Sequence, residues 1–137
     1  MYKETNFYYD GNVLDMVEDF VYLGVLFSFN GKFQKAKKRL LGQARKAMFA
    51  LVAKSRKLGL AISVQLHLFE TMIVPILLYG SEVWSLEDLN ILDRFQLKYC
   101  KLILNLKQTT PSCMIYGELG VMTLSLQAKN KIAMLLE

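Results

Sequence analysis

The chain has 137 residues, of which 53% are hydrophobic, and a formal net charge of +5 at pH 7. This length suits one folded domain, and the apolar content is enough for a core, which excludes a disordered chain. The longest apolar stretches, around residues 72–80 and 102–106, are far shorter than the roughly 20 residues of a bilayer span. The N-terminus carries charges where a signal peptide needs apolar residues. We therefore expect a nuclear or cytoplasmic protein that is neither secreted nor transmembrane.

Two turn pairs divide the N-terminal region. Aromatic and β-branched residues flank Asp10-Gly11, which predicts a β-hairpin. The run "FVYLGVLFSF", residues 20–29, predicts a further strand that ends at the turn pair Asn30-Gly31. A glycine inside a strand is typical of a bulge or of the approach of another backbone, so Gly24 is read in that way.

The hydrophobic period changes to that of a helix at Lys32. Apolar residues recur at intervals of three and four as far as about Leu58, after which Gly59 can end the helix. The stripe consists of Phe33, Ala36, Leu40, Ala44, Ala47, Met48 and Leu51. Ser63 is the predicted cap of a second helix, which Pro75 should kink or divide.

The remaining elements are also predicted to be helices. Ser85, followed by Asp88, favours a capped third helix. A short helix can end at Gly120, and the segment from Leu124 begins a last helix that reaches the C-terminus. The predicted fold is mainly α: an N-terminal β-hairpin and strand lip (residues 1–31) followed by a helical bundle (residues 32–137), in one compact unit.

The first helix carries the charge excess of the protein. Residues 32–57 contain ten basic residues and no acidic ones, whereas residues 1–31 sum to −4 and residues 58–137 to −1. On a helical wheel seven of these bases lie opposite the apolar stripe: Lys35, Lys38, Arg39, Arg45, Lys46, Arg56 and Lys57. Gly42 lies among them, where a phosphate backbone can approach closely. A solvated surface and a membrane-surface helix remain alternatives, but the lack of acids favours a polyanionic partner.

Catalytic candidates are weak. His67 is the only histidine, and Tyr8-Tyr9-Asp10-Gly11 lacks the second acid of the Tyr-x-Asp-Asp motif of polymerases. No closely spaced carboxylate pair can hold two metal ions. Cys100 and Cys113 lack the spacing of a metal or redox motif and are read as reduced thiols. We expect no catalytic residue, no metal and no cofactor.

The order of several motifs resembles the C-terminal end of the reverse transcriptase of non-LTR, LINE-type retrotransposons. The motifs are "FVYLGVLFSFNGKF", "QARKAMFAL", "LFETMIVPILLYGSEVW", "LDRFQLKYCKLILNLKQTTP" and "YGELG". The resemblance covers nearly the whole chain, from about Phe7 onward. In that family an aromatic-Leu-Gly strand motif forms the primer grip, which holds the 3′ end of the priming strand, and the helices beyond it form the thumb.

The resemblance implies roles for named residues. Phe20, Tyr22, Leu23 and Gly24 would belong to the primer grip, and the basic helix would contact the template–primer duplex, RNA–DNA or DNA, through its backbone. The catalytic aspartates of the family have no counterparts in this chain. We therefore expect a non-catalytic fragment of a longer reading frame that binds duplex nucleic acid without sequence preference.

Two other functions fit the sequence. Surfaces that would pack on an absent palm, including Phe7, Tyr9, Tyr22 and Phe27, can make the chain a protein-interaction or self-association module. Alternatively, the chain is the separated tail of a polymerase that is active only when its palm and fingers are supplied in trans.

Overall fold

The structure, a computed structural model, describes residues 6–84 and 89–137. The chain consists of two compact units, Met1–Ala36 and Lys37–Glu137. Short β-hairpins occupy the N-terminal region, and a helical bundle follows them, which confirms the predicted fold class. The boundary between the units lies inside the first helix, beyond the predicted division at residue 31.

The first hairpin has the predicted turn. Strands β1 (Tyr8–Tyr9) and β2 (Asn12–Val13) pair antiparallel. The turn residues Asp10 and Gly11 have φ angles of 48° and 77°. Both angles are positive, as a type I′ turn requires, and Asp-Gly is a favoured pair for that turn.

The second hairpin corrects the sequence prediction. Strands β3 (Asp19–Tyr22) and β4 (Val25–Ser28) pair antiparallel, with Phe20 opposite Phe27. They are joined by Leu23 and Gly24, whose φ angles are 48° and 81°. The prediction of a single strand over residues 20–29 was therefore wrong, and Gly24 belongs to a two-residue turn, not to a bulge. The sequence did not indicate this turn because leucine is rare at positive φ.

Helix α1 (Gln34–Leu58) begins slightly later than predicted and ends at the predicted glycine, Gly59, which has a φ of 61°. Its buried apolar side chains are Ala36, Leu41, Ala44, Met48, Leu51 and Val52. Most of the predicted stripe is among them. Leu41 and Val52 lie outside the predicted stripe, so the buried face is rotated toward the side of α1 that carries Arg45.

Pro75 divides the next helix, as predicted. Helix α2 (Ile62–Leu68) passes into a π-helical segment, Phe69–Ile73, and then into α3 (Val74–Leu77). The Val74 N–H donates to the carbonyl oxygen of Phe69, five residues back. This wider turn lies directly before a residue that has no amide hydrogen to donate and that crowds the preceding turn.

The predicted cap of α2 was wrong. Ala61 is the capping residue and makes no side-chain hydrogen bond, and Ser63 lies inside the first turn. Helix α4 (Ser81–Trp84) follows α3. The predicted capping residues Ser85 and Asp88 lie outside the described residues.

The last three helices match the prediction in order. They are α5 (Asn90–Ile103), α6 (Ser112–Leu119) and α7 (Leu124–Leu135). Gly120 ends α6 in the left-handed conformation, and its N–H donates to the Tyr116 carbonyl at 2.9 Å. In the described part of the chain, no helix is both long and apolar enough to cross a bilayer.

Helix α5 is central to the core of the second unit. The rings of Phe69 and Tyr99 stack with centroids 4.4 Å apart, and the Tyr99 hydroxyl donates to the Gln65 carbonyl at 2.7 Å. Burial raises the pKa of the Tyr99 phenol to about 12 and that of the neighbouring Cys100 thiol to about 11. The side chains of Asp93 and Gln96 accept the N–H groups of Ser125 and Leu124 at the start of α7. These bonds fix one face of α5 inside the bundle.

Candidate nucleic-acid interface

The predicted basic face of α1 is accessible to solvent. All seven predicted residues, Lys35, Lys38, Arg39, Arg45, Lys46, Arg56 and Lys57, are exposed. Lys37, which the prediction left out, is the exception among the neighbouring lysines: it is only 8% exposed, and its ammonium lies 5.7 Å from the centre of the Trp84 ring. The helix thus separates a lysine that packs from bases that face solvent.

Three of the exposed bases form an outer row, which we define as Arg39, Lys46 and Lys57. At about 100° per residue, each lies within about 20° of the direction opposite the buried Met48. Small exposed residues lie on or beside this row: Ala50 is within about 20° of the same direction, Ala53 within about 40° and Gly42 within about 60°. Because these residues are small, they leave the outer row open to a large ligand.

Most charges of this face have no acidic partner in the described part of the chain. There, the side chains of Lys38, Arg39, Arg45, Lys46 and Lys57 make no hydrogen bond and no ion pair. The first turn of α1 has no acidic residue, although the positive end of the helix dipole favours one there. Like charges on one helix face repel each other by a few tenths of a kcal/mol per pair, roughly, and a polyanion would relieve that repulsion.

Lys35 differs from the other bases. It belongs to the first compact unit, where its ammonium lies 2.7 Å from Oδ2 of Asp19. Ser28 also donates to Asp19, at 2.7 Å. The hydrogen bond from Lys35 lowers the pKa of Asp19, and the same bond raises the pKa of Lys35. An exposed pair of this kind adds little stability, but it gives Lys35 a partner within the chain.

Arg56 also has contacts within the chain. Its guanidinium donates weakly to the Leu102 carbonyl at 3.4 Å and to Oδ1 of Asn105 at 3.5 Å. These acceptors lie at and just beyond the end of α5, where free carbonyls favour a cation. Arg56 therefore has a structural role beside any contact with a ligand.

The residues that resemble the primer grip form an exposed hairpin. Phe20 and Tyr22 lie on β3, and Leu23 and Gly24 form its turn. The rings of Phe20 and Tyr22 are on one face of the strand, with centroids 6.4 Å apart and planes at 20°. Both side chains are more than half exposed, at 56% and 59%. The hairpin thus presents an aromatic surface within the first unit.

The structure brings one further base, Lys98, beside α1, which was not predicted from the sequence. The Lys98 ammonium on α5 lies 5.5 Å from the centre of the Phe49 ring on α1. Arg94 lies one turn earlier on α5 and is exposed. The spacing of Arg94 and Lys98, four residues apart, was a usable signal, but the net charge of −1 over residues 58–137 concealed it.

His67, Cys100 and Cys113 lie on three different helices, α2, α5 and α6. Among the residues that the structure describes, no group of three His, Cys, Asp or Glu side chains is placed to hold a metal ion. His67 is exposed and lines an open groove of about 660 Å³ together with Glu70 and Met122. Cys100 is buried and Cys113 is exposed, and both are free thiols.

Comparisons with protein-family models, with curated proteins and with solved structures find no match to this chain. The resemblance to retrotransposon reverse transcriptases therefore rests on the order of the sequence motifs alone.

Proposed function

We propose that this chain is a non-catalytic, thumb-like part of a LINE-type reverse transcriptase, and that it binds template–primer or other duplex nucleic acid through the backbone. The observation that carries the proposal is the exposed face of α1, whose bases have no acidic partners in the described part of the chain, Lys35 excepted. A duplex supplies the missing negative charge at a density of about one charge per 1.7 Å of its axis.

The chemistry of this face suits binding without sequence preference. Lysine and arginine side chains on an open helix face contact phosphates, which position a protein but carry no sequence information. An RNA–DNA hybrid is recognised mainly by its shape and backbone, because its deep groove is closed to side chains. A thumb that moves along a growing duplex needs contacts of this type.

The hairpin of β3 and β4 supports the part of the proposal that concerns the template–primer. Its exposed aromatic pair, Phe20 and Tyr22, would hold a primer end, as the motif resemblance implies. The catalytic aspartates of the family have no counterparts in the sequence, so we expect no DNA synthesis by this chain. A nuclear or cytoplasmic location would give it access to nucleic acid.

A triple charge reversal tests the proposal. We expect Arg39→Glu, Arg45→Glu and Lys46→Glu, introduced together, to abolish the complex with a blunt duplex in a gel-retardation assay. A matched triple variant, Arg39→Lys, Arg45→Lys and Lys46→Arg, keeps every charge and should bind as the wild type does. Circular dichroism of both variants checks that α1 is intact. A retarded complex that survives the reversal would show that this face is not the site.

A self-association module is the second candidate. It is favoured by the exposed aromatic residues of the first unit, among which Phe7, Tyr9 and Tyr22 are 57%, 74% and 59% exposed. Phe27, the fourth residue of the predicted surface, is half-buried against Phe33, with ring centroids 5.6 Å apart. Light scattering coupled to size-exclusion chromatography separates the two candidates: a monomer with duplex affinity supports the first, and oligomers indifferent to nucleic acid support the second.

A further inference from the structure

Side chains of α1 contact α5 at two points. On α1, Phe49 precedes Arg56, and on α5 their contacts follow the same order. Phe49 meets Lys98 at 5.5 Å, and Arg56 meets the Leu102 carbonyl at 3.4 Å. The two contacts place the Phe49–Arg56 part of α1 beside the Lys98–Leu102 part of α5.

On each helix a further base lies about one turn before the Phe49–Lys98 contact. Arg45 and Arg94 each precede the Phe49–Lys98 contact by four residues, or about 6 Å along their helices. On the α1 wheel Arg45 lies within about 40° of Phe49, and on the α5 wheel Arg94 lies within about 40° of Lys98. We define the α1–α5 seam as Arg45, Phe49 and Arg56 from α1 with Arg94 and Lys98 from α5.

The seam is cationic throughout. The side chains of Arg45 and Arg94 make no hydrogen bond or ion pair to any residue that the structure describes. Asp93, the nearest acid along the chain, lies on another side of α5, where it accepts the Ser125 N–H at 2.9 Å. The seam therefore has the charge of a phosphate-binding path, and it is distinct from the outer row.

An aromatic ring in the middle of this path distinguishes it from a plain phosphate clamp. The Phe49 side chain is 47% exposed and has a cation over its ring. In a blunt duplex the bases are stacked inside and cannot reach such a ring, whereas an unpaired strand can lay a base on it. Aromatic side chains within a basic groove are the usual platform for single-stranded nucleic acid.

We propose that the α1–α5 seam binds an unpaired nucleic-acid strand. Arg45, Arg94 and Lys98 hold its phosphates, and Phe49 stacks against one of its bases. This site goes beyond the proposed duplex contact, because it takes a different form of nucleic acid and uses residues of a second helix.

Fluorescence anisotropy with two probes tests the seam: a short oligothymidylate and a blunt DNA duplex of the same length. We expect Phe49→Leu, which keeps the apolar bulk and removes the ring, to weaken oligothymidylate binding about tenfold. Duplex binding should change little. The double reversal Arg94→Glu and Lys98→Glu should weaken oligothymidylate binding more than Phe49→Leu does.

The control and the outcomes are defined by position on the helices. Lys54→Glu with Lys129→Glu changes the net charge as much as Arg94→Glu with Lys98→Glu does, but at two exposed sites outside the seam. It should leave the ratio of oligothymidylate binding to duplex binding unchanged. If Phe49→Leu left oligothymidylate binding unchanged, or weakened both probes equally, the seam would not be a single-strand site. The duplex proposal is tested separately. It would be contradicted if Arg39→Glu with Lys46→Glu left duplex binding intact.

Discussion

At the scale of the residue, the turn of the second hairpin is held in a costly conformation. Leu23 has a φ of 48°, a value at which a leucine side chain crowds the backbone. The cost is roughly 1–2 kcal/mol for an L-residue other than Gly, Asn or Asp. Strained residues of this kind cluster at functional sites, and Leu23 lies in the motif that resembles a primer grip.

Replacing Leu23 by Asn should stabilise the β3–β4 hairpin. Asn tolerates positive φ, and Asn-Gly is a favoured pair for a two-residue turn, so we expect a gain of about 1 kcal/mol. The measurement is amide hydrogen exchange at Val25 and Phe27, which should become slower. Gly24→Ala is the opposed control, since alanine is strained at a φ of 81° and exchange should become faster. Faster exchange in Leu23→Asn would contradict this account.

At the scale of the element, α1 contains a glycine that its packing does not require. Gly42 is exposed, and a Cβ built on it would meet no atom within 4 Å. Glycine in a helix interior costs about 1 kcal/mol relative to alanine. Its presence in the middle of the basic face therefore fits a close approach of a phosphate backbone.

Gly42→Ala should stabilise the protein and weaken the complex with a duplex. We expect the free energy of unfolding to rise by about 0.5–1 kcal/mol in urea denaturation, because the backbone of the unfolded chain is less free. The added methyl group should lower duplex affinity severalfold by separating helix and phosphate. Ala50→Gly, at another exposed position of α1, should lower the free energy of unfolding and leave duplex affinity intact. A stabilised Gly42→Ala variant with unchanged affinity would remove Gly42 from the interface.

Local chemistry explains which elements the sequence predicts. Asp10-Gly11 and Gly59 mark a turn and a helix end because their conformations depend on the residues themselves. The buried positions of Ala44 and Met48 follow from the helical period alone. The contact of Lys98 with Phe49 depends on the packing of helices distant in sequence, and no local pattern specifies it.

The predicted cap of α2 failed for a related reason. Ser63 has the right chemistry for a cap, but Gln65 reaches back from the first turn of α2 and donates to the Leu60 carbonyl at 2.8 Å. The helix begins earlier, after Ala61. A capping motif gives the residue types that can end a helix, and the surrounding packing decides where it begins.

At the scale of the whole molecule, the buried phenol of Tyr99 makes the free energy of unfolding fall at alkaline pH. Burial raises the pKa of Tyr99 from its ordinary value of 10.0 to about 12, because the phenolate would lose its hydration. Below about pH 10 both the folded and the unfolded chain hold this proton. Between about pH 10 and pH 12 only the folded chain holds it, so stability falls as the pH rises.

Tyr99→Phe tests this dependence. The variant cannot ionise, so its free energy of unfolding should fall less steeply than that of the wild type above about pH 10. At neutral pH it should be less stable by about 1 kcal/mol, since it cannot donate to the Gln65 carbonyl. Urea denaturation across the alkaline range measures both effects. Curves that stay parallel at every pH would show that Tyr99 ionises equally in both states.

The asymmetry of charge along the chain connects the structure with the proposed function. Seven of the ten bases of residues 32–57 lie on one exposed face of α1, while residues 58–137 are close to neutral. Binding through such a face releases counterions from the nucleic acid, so its affinity must depend on salt.

The most direct test of the duplex proposal is a salt titration of duplex binding. The logarithm of the association constant should fall linearly with the logarithm of salt concentration, with a slope of about −0.9 for each phosphate contact. For a variant with only Arg39→Glu and Lys46→Glu, which should retain measurable binding, the slope should be smaller by about 0.9 for each phosphate that the variant no longer binds. A slope near zero for the wild type, or an equal slope for the variant, would contradict phosphate binding by α1.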